Sequence, residues 1–326
     1  VIKKETSKNT PNRATKLLIK QSVFASHKKL VVGLSGGPDS VCLLHQLVAL
    51  QKMGKISLIA VHLDHEWRAE SYKDAEFCQK LCEELSVPLI SKKSSELHYT
   101  APKNGSREDE GRNLRRYLFE TVLKEYGADA IVLAHHADDQ RETFFIRLTR
   151  GTTLTGLCSM KEQDGLYIRP LLHVSKLEII DFLKEHTLSW IEDASNNSDD
   201  YLRNRIRNHL IPALQKCDQR AETQLSRLIA SLQDTESFLE KLTAKTFNSV
   251  VSGQLLNIAV LKTIHPVLQK RVLTLWICMQ APTFTLTESF LDEIMRFLES
   301  PRGGTHQLGT SWCIVKKQNT AKIFIF

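Results

Sequence analysis

Two short polar segments carry most of the chemistry legible in this chain. The first, Ser35-Gly36-Gly37-Pro38-Asp39-Ser40, follows the apolar run Leu30 to Leu34 and precedes an amphipathic stretch. A strand, a glycine turn and a helix start in that order aim backbone N–H groups and the positive end of a helix dipole at one point, which suits a phosphate or pyrophosphate. Gly36 and Gly37 let the backbone come close to such a ligand, Ser35 and Ser40 add hydroxyl donors, and Pro38 suits the opening of a helix. Asp39 has no place in a pure anion site, and makes sense if Mg²⁺ rides on the phosphates of a nucleoside triphosphate such as ATP. The loop lacks the Gly-Lys-Ser/Thr ending of a Walker A motif and is not G-x-G-x-x-G.

The second segment is His135-His136-Ala137-Asp138-Asp139-Gln140-Arg141-Glu142, at the end of the apolar run Ala130 to Ala134. Asp138 and Glu142 are four apart and share a helical face. Capping of a helix start explains one of the three acids well and three poorly, and three together point to a metal ion or a cationic substrate. Adjacent histidines at a strand end point in opposite directions, so one, taken as His135, contacts phosphate or base while the other packs. Asp64-His65, closing the run Ile56 to Leu63, is a third polar strand end, read either as a ligand contact or as a turn with a surface histidine. Arg203 and Arg207 are also four apart on one helical face, with Arg205 turned away, a pair for phosphate or an RNA backbone unless it is a solvated basic face.

These groups must be positioned by the elements between them. From Leu30 to about Ile168, short apolar runs alternate with amphipathic stretches, as a parallel sheet with crossover helices reads. Strands are expected at Leu30 to Leu34, Ile56 to Leu63, Pro88 to Ser91 and Ala130 to Ala134. Helices are expected at Ser40 to Met53, Ser71 to Leu85, Arg107 to Glu125 and Asp138 to Thr149. The fold class is therefore α/β, a doubly wound parallel sheet with helices on both faces, whose ligands gather at the carboxyl ends of the strands. Beyond a short apolar piece, Tyr167 to Leu172, a helix from Ser175 to Glu185 and a polar loop from Glu192 to Asp200, the pattern is helical to about Thr246. It is helical again from Ser289 to Leu298 and ends around Gly303, Gly304 and Gly309 like a small sheet. A domain boundary is placed near Cys217, which gives a basic, disordered segment 1–28, a catalytic domain 29–216 and a smaller, mostly helical domain 217–326 ending in short strands.

Composition bounds the function classes. The 326 residues are 42% hydrophobic and 25% charged, as in ordinary soluble domains. No run approaches the roughly 18 apolar residues of a membrane span, so a soluble, cytoplasmic protein is expected. Residues 1–30 hold eight Lys or Arg and one Glu, an excess that equals the whole net charge of +7. The basic balance thus belongs to an adhesive start, not to the body of the chain. Seven cysteines without framework spacing and without C-x-x-C argue for a reducing compartment and against a zinc or iron-sulfur site.

The phosphate loop resembles the SGG-x-DS loop of the PP-loop ATP pyrophosphatases, which cleave ATP between the α and β phosphates and adenylate a substrate. Longer stretches are similar to one branch, the tRNA(Ile)-lysidine synthetases. AHHADDQRETFFIRLTRGTTLTGLCSM matches the AHH-x-DDQ-x-ET and L-x-RG segments, Asp64-His65 the DH motif, and Arg169-Pro170-Leu171-Leu172 the RPLL motif. Trp190-Ile191-Glu192-Asp193 through Asn196, Tyr201 to Asn204 and Ile206-Arg207 match W-x-ED…N…Y-x-RN-x-IR. The matches span residues 29 to 215 in order. One departure stands out: the family's Ala-Arg followed shortly by Arg-Tyr is here Gly111-Arg112 and then Arg115-Arg116-Tyr117.

The resemblance implies ligation of free L-lysine to C2 of the wobble cytidine of a tRNA(Ile) with a CAU anticodon. An adenylated base is the intermediate, with AMP and pyrophosphate released; the family also admits a homodimer. It implies ATP and Mg²⁺ at Ser35, Gly36, Gly37, Pro38, Asp39 and Ser40, with Asp64, His65, Arg112 and His135 contacting the nucleotide. Asp39, Asp138, Asp139, Glu142 and Arg203 are then the catalytic candidates, with Asp39 as the Mg²⁺ ligand. Residues 217–326, with twelve Lys or Arg against nine Asp or Glu, are expected to recognise tRNA. The rivals are a sulfur-inserting enzyme on the same loop, which would need a cysteine pair or cluster, and an amidotransferase-type synthetase, which would need a glutaminase portion. A non-catalytic nucleotide-binding module would leave the acids without a use.

Overall fold

The computed structural model describes residues 18–68, 70–99, 107–192, 199, 201–280, 286–309 and 311–325. It divides into two compact units between Ile229 and Ala230. The first contains β1 (Lys29–Gly33), α1 (Pro38–Lys52), β2 (Ser57–Asp64), α2 (Tyr72–Leu85), β3 (Leu89–Lys93), α3 (Arg107–Glu125), β4 (Ala130–Val132) and α4 (Ala137–Arg150). There follow α5 (Leu154–Leu157), β5 (Gln163–Asp164), β6 (Tyr167–Ile168), α6 (Lys176–Glu185), α7 (Leu202–Arg205), a π turn at Ile206–Leu210 and α8 (Ile211–Cys217). The division falls inside α9 (Ala221–Val250), whereas the sequence pattern placed it near Cys217; helical periodicity runs through both positions and carries no mark of the change of core.

The sheet order is β3-β2-β1-β4-β6-β5, parallel except for β5 at the edge. Strand alternation sorts its apolar side chains onto two faces. Leu30, Val32, Leu58, Ala60, Ala130 and Val132 face one core with α1, α2 and α6, while Val31, Ile59, Val61, Leu63 and Ile131 face a second with α3. Both faces are covered, which is why the strands read as continuous apolar runs rather than alternating ones. Truncating a fully buried leucine such as Leu30 or Leu43 to alanine costs about 2–5 kcal/mol. Order 3-2-1-4 puts the topological switch between β1 and β4, so the loops after these two strands open onto one crevice.

The expected basic start is more than a tail. Ile19 and Phe24 are buried in the first core, and Gln46 of α1 accepts a hydrogen bond from the Leu18 N–H at 2.7 Å. The rest of that segment, residues 1–17, lies outside the described residues.

The second unit holds the rest of α9, β7 (Val251–Ser252), β8 (Leu255–Asn257), α10 (Ile258–Thr263), α11 (Pro266–Cys278), α12 (Glu288–Glu299), β9 (Gly304–Gln307), β10 (Trp312–Lys317) and β11 (Thr320–Ile325). Its antiparallel sheet runs β7-β8-β11-β10-β9. Leu291, Ile294, Met295 and Leu298 form the buried stripe of α12 against Trp276 and Ile314. The Lys316 ammonium is buried and donates to the carbonyl of Leu298 at 2.8 Å, and to those of Phe297 and Ser300, satisfying the last turn of α12.

Candidate functional site

The phosphate loop is wired before any ligand arrives. The Ser35 N–H donates to Ser40 Oγ at 3.2 Å, the two serine hydroxyls lie 3.1 Å apart, and Ser40 Oγ donates to the Gly37 carbonyl at 3.0 Å. Gly37 is the N-cap of α1 in extended geometry and Pro38 its first residue; no side chain caps this helix, which leaves its leading N–H groups for a ligand. Gly36 has φ +81°, and a Cβ there would lie 2.7 Å from Ile191 Cδ1. The Ile191 N–H donates to the Gly36 carbonyl at 2.9 Å, so the Trp190-Ile191 stretch packs onto the loop it follows by 150 residues of chain. Asp193 and Asn196 of the same motif lie outside the described residues.

The second constellation meets this loop. Asp39 Oδ1 lies 3.7 Å from His136 Nε2 and 2.5 Å from the ammonium of Lys176. His136 is buried and caps α4: its Nδ1 accepts from the Asp138 N–H at 3.2 Å, and its own N–H donates to Asp139 Oδ2 at 3.0 Å. Capping therefore uses Asp139 and a histidine. Burial opposes ionisation of Asp139, yet His136 and His135 nearby and the His136 N–H hold its carboxyl below the usual carboxylate range. Asp138 accepts from Arg141 Nη2 at 2.5 Å, and Arg141 also pairs with Glu222 of α9 at 3.2 Å.

Glu142 is 0% exposed. Its Oε1 accepts from Arg207 Nε at 2.6 Å, and its Oε2 lies 3.2 Å from Arg207 Nη2 and 3.1 Å from Arg203 Nε. Burial raises its carboxyl above the ordinary value, and the two guanidiniums pull it back toward the charged form. Arg203 and Arg207 thus share a face, as their spacing requires, while Arg205 turns away and donates to the Asp199 carbonyl at 3.0 Å. Glu142, expected with the two aspartates to face a metal ion or a cationic substrate, has both oxygens engaged by arginine.

His135 directly precedes the N-cap of α4. Burial pushes its imidazole down to about 4, with Arg169, Arg203 and Arg112 adding to the effect against the carboxylate of Asp139. Arg112, on α3, is exposed and contributes to the same positive field at Arg147 and Arg169. Arg169 is buried after β6 and donates to the Lys161 carbonyl at 3.0 Å. Asp64 is buried at the end of β2 and accepts from the Glu66 N–H at 2.8 Å. The His65 ring stacks on Trp67, and burial followed by the charge of Arg115 lowers it to about 4.

The fold thus gathers Ser35 to Ser40, His136, Asp138 and Asp139 through Asp39, and joins Arg203 and Arg207 through Glu142. Lys176 was missed. It is the first residue of α6, where the helix dipole disfavours a cation, and a lysine in that position is the signal that could have marked it. Among the described residues no group of three or more His, Cys, Asp or Glu is arranged to hold a metal ion. Five of the seven cysteines are buried. Burial, then Asp39, pushes the Cys42 thiol up to about 12, and burial pushes Cys82 up to about 11. No helix among the described residues is long and apolar enough to cross a membrane.

The PP-loop domain family matches residues 7–214. A tRNA(Ile)-lysidine synthase of Caldanaerobacter subterraneus subsp. tengcongensis is 33% identical over 290 residues, covering 86% of this chain and 62% of that protein. One from Bacillus subtilis is 35% identical over 242 residues, covering 73% of this chain and 51% of that protein. The chain spans between half and two thirds of the length of these curated relatives. Among solved structures, a U34-tRNA thiolase from Methanococcus maripaludis superposes with a TM-score of 0.56 at 17% identity, covering 66% of this chain and 75% of that one, a likeness of fold.

Proposed function

The chain belongs to the PP-loop family, and from that premise we propose that it ligates lysine to C2 of the wobble cytidine of a CAU-anticodon tRNA(Ile), at the expense of ATP. The observation that carries this reading is the meeting of the two motifs at Asp39, with His136 and Lys176 on one of its oxygens. A phosphate loop, a carboxylate cluster and two held arginines around one crevice serve a reaction that activates an oxygen and then receives an amine. A non-catalytic nucleotide module would use the first alone. A sulfur-transfer reading would need a cysteine pair or a cluster-binding C-x-x-C, and the sequence has no C-x-x-C.

In the first step cytosine O2 attacks the α-phosphorus of ATP and pyrophosphate leaves. The loop N–H groups, Ser35, Ser40 and Lys176 would bind the departing charge. Asp39 already carries a cation, the Lys176 ammonium, so its carboxylate suits Mg²⁺, which needs only one or two carboxylates when phosphates complete its shell and would neutralise phosphate charge there. In the second step a lysine amine forms the N–C2 bond while the C2–O2 bond breaks and O2 departs with AMP. Free lysine is charged at pH 7, so its ammonium must be held and give up a proton. Asp138 and Asp139 are the acceptors we assign. Glu142 works through Arg203 and Arg207, fixing them toward phosphate or RNA backbone. His65, Asp64, Arg112 and His135 flank the nucleotide, His65 and His135 as neutral rings at pH 7.

Incubating a CAU-anticodon tRNA(Ile) transcript with the protein, ATP, Mg²⁺ and lysine, then digesting to nucleosides, tests the reading by mass. One cytidine gaining lysine minus water, with equal AMP and pyrophosphate, is the expected result. No ATP-dependent gain in mass would refute it.

A further inference from the structure

Arg141 is buried early in α4, one residue before Glu142, and takes no part in either proposed step. Its Nη2 donates to Asp138 Oδ1 at 2.5 Å and lies 3.2 Å from Glu222 Oε2, so one guanidinium nitrogen is shared by two carboxylates. Nη1 lies 3.5 Å from the Ser226 hydroxyl, and Nε is buried without a hydrogen-bond partner. Glu222 stands in the first turn of α9, and its other oxygen accepts from Gln215 Nε2 of α8. On Asp138 the contacts converge on one oxygen. Besides Arg141, the Lys176 N–H at the start of α6 donates to Oδ1 at 3.5 Å, and His136 Nδ1 lies 3.9 Å from it. Oδ2 has no partner among the described residues, and the Asp138 side chain is 33% exposed. One cation between two carboxylates leaves a single negative charge at this end of α4.

We propose that Arg141 and Glu222 form a positioning pair for Asp138: the guanidinium fixes Oδ1 and leaves Oδ2 for the substrate amine, while Glu222 offsets the charge of Arg141 so that Asp138 still attracts an ammonium. The inference rests on the lysine-ligation reading above. An arginine fork holds a carboxylate in a set orientation, which an acid on the exposed first turn of a helix otherwise lacks. Arg141 by itself would cancel the charge of Asp138 and repel the incoming ammonium, because like charges a few ångströms apart act strongly on each other where water is partly excluded. Glu222 removes that conflict. It does so from the first turn of α9, the helix that continues past Ile229 into the second unit, so α9 takes part in setting a catalytic acid.

Single-turnover assays on the intact chain with ATP, Mg²⁺ and a CAU-anticodon tRNA(Ile) transcript separate the two steps. Pyrophosphate release without lysine reports the first, and lysine incorporation at varied lysine concentration reports the second. Arg141→Met should leave pyrophosphate release within about threefold and slow incorporation at saturating lysine about tenfold or more, while the half-saturating lysine concentration holds or falls, because a repelling cation has gone. Glu222→Gln should raise that concentration about threefold or more, since Arg141 is then left to neutralise Asp138 alone. Arg141→Lys, which keeps the charge but not the fork, should fall between the parent protein and Arg141→Met in rate. A merely structural pair would impair both steps alike in both variants. Equal losses of pyrophosphate release and incorporation in Arg141→Met would therefore overturn the pair while lysine ligation stands. An unchanged or lower half-saturating concentration in Glu222→Gln would overturn it too, whether or not Arg141→Met folds. A parent protein that releases pyrophosphate but incorporates no lysine would overturn the ligation reading and the pair with it.

Discussion

Replacement of Glu142 by glutamine tests the heart of the arginine arrangement. The carboxylate is fully buried and makes three contacts of 2.6, 3.2 and 3.1 Å with Arg207 and Arg203, whose side chains are 37% and 29% exposed. Breaking a buried ion pair from one side costs about 3–5 kcal/mol, and solvent at the exposed guanidiniums should reduce this to about 2–3 kcal/mol. Glutamine preserves volume, but its amide NH₂ would face guanidinium N–H donors, leaving at least one donor pair unsatisfied. Urea denaturation followed by circular dichroism should show the loss. A double-mutant cycle with Arg207→Ala should return a coupling of about 1–2 kcal/mol. Pyrophosphate release under saturating ATP should fall on the order of a hundredfold, as expected when positioned groups lose their orientation. A variant within about 0.5 kcal/mol of the parent protein, strictly additive with Arg207→Ala and unimpaired in pyrophosphate release, would refute the assignment of Glu142 as the residue that holds the arginines.

Four further outcomes are expected. Asp39→Ala should abolish pyrophosphate release while leaving the circular dichroism spectrum unchanged, because it alters a partly exposed side chain in the first turn of α1 and not core volume; release at the parent rate would remove Asp39 from the site. Replacing all seven cysteines with Ser or Ala should keep turnover within about tenfold in a folded protein, and loss of turnover from one cysteine in a well-folded variant would revive sulfur transfer. His135 binds its proton at about 4 when folded and near 6.5 when unfolded, so the unfolded chain takes up the proton first as pH falls. Stability should therefore be lost from pH 6.5 down to about 4, by up to about 3 kcal/mol from this residue, and His135→Gln should flatten the urea midpoint across that window. A chain ended after Ile229, which keeps the Arg141 to Glu222 pair, should bind ATP but lose most tRNA affinity, and the affinity of the full chain should fall with salt. Undiminished tRNA binding by the shortened chain would deny the C-terminal part its recognition role.

The sequence by itself determined β1 to β4, α1 to α4 and α6, because strands buried on both faces are continuous apolar runs and crossover helices repeat every 3.6 residues; α5, β5 and β6, of two to four residues, are too short to show a period. α3 has the bounds its periodicity gives, Arg107–Glu125, and the others of these nine differ by a residue or two at their ends. It also marked the polar strand ends, since acids, histidines and glycines there break an otherwise apolar pattern. Pairing across the chain was not legible. Nothing local joins Asp39 to Lys176, Glu142 to Arg203 and Arg207, or Gly111 to Trp67. Those partners lie between 44 and 137 residues apart, and each pairing exists only because the parallel sheet brings the strand ends, and the helices beside them, to one edge. The small strands β7 and β8 were hidden for a related reason: two or three residues around Gly253 are too short to show a period, and they become strands only through β11. Local pattern set the elements and the kinds of chemistry they carry, and the tertiary fold decided which charge faces which.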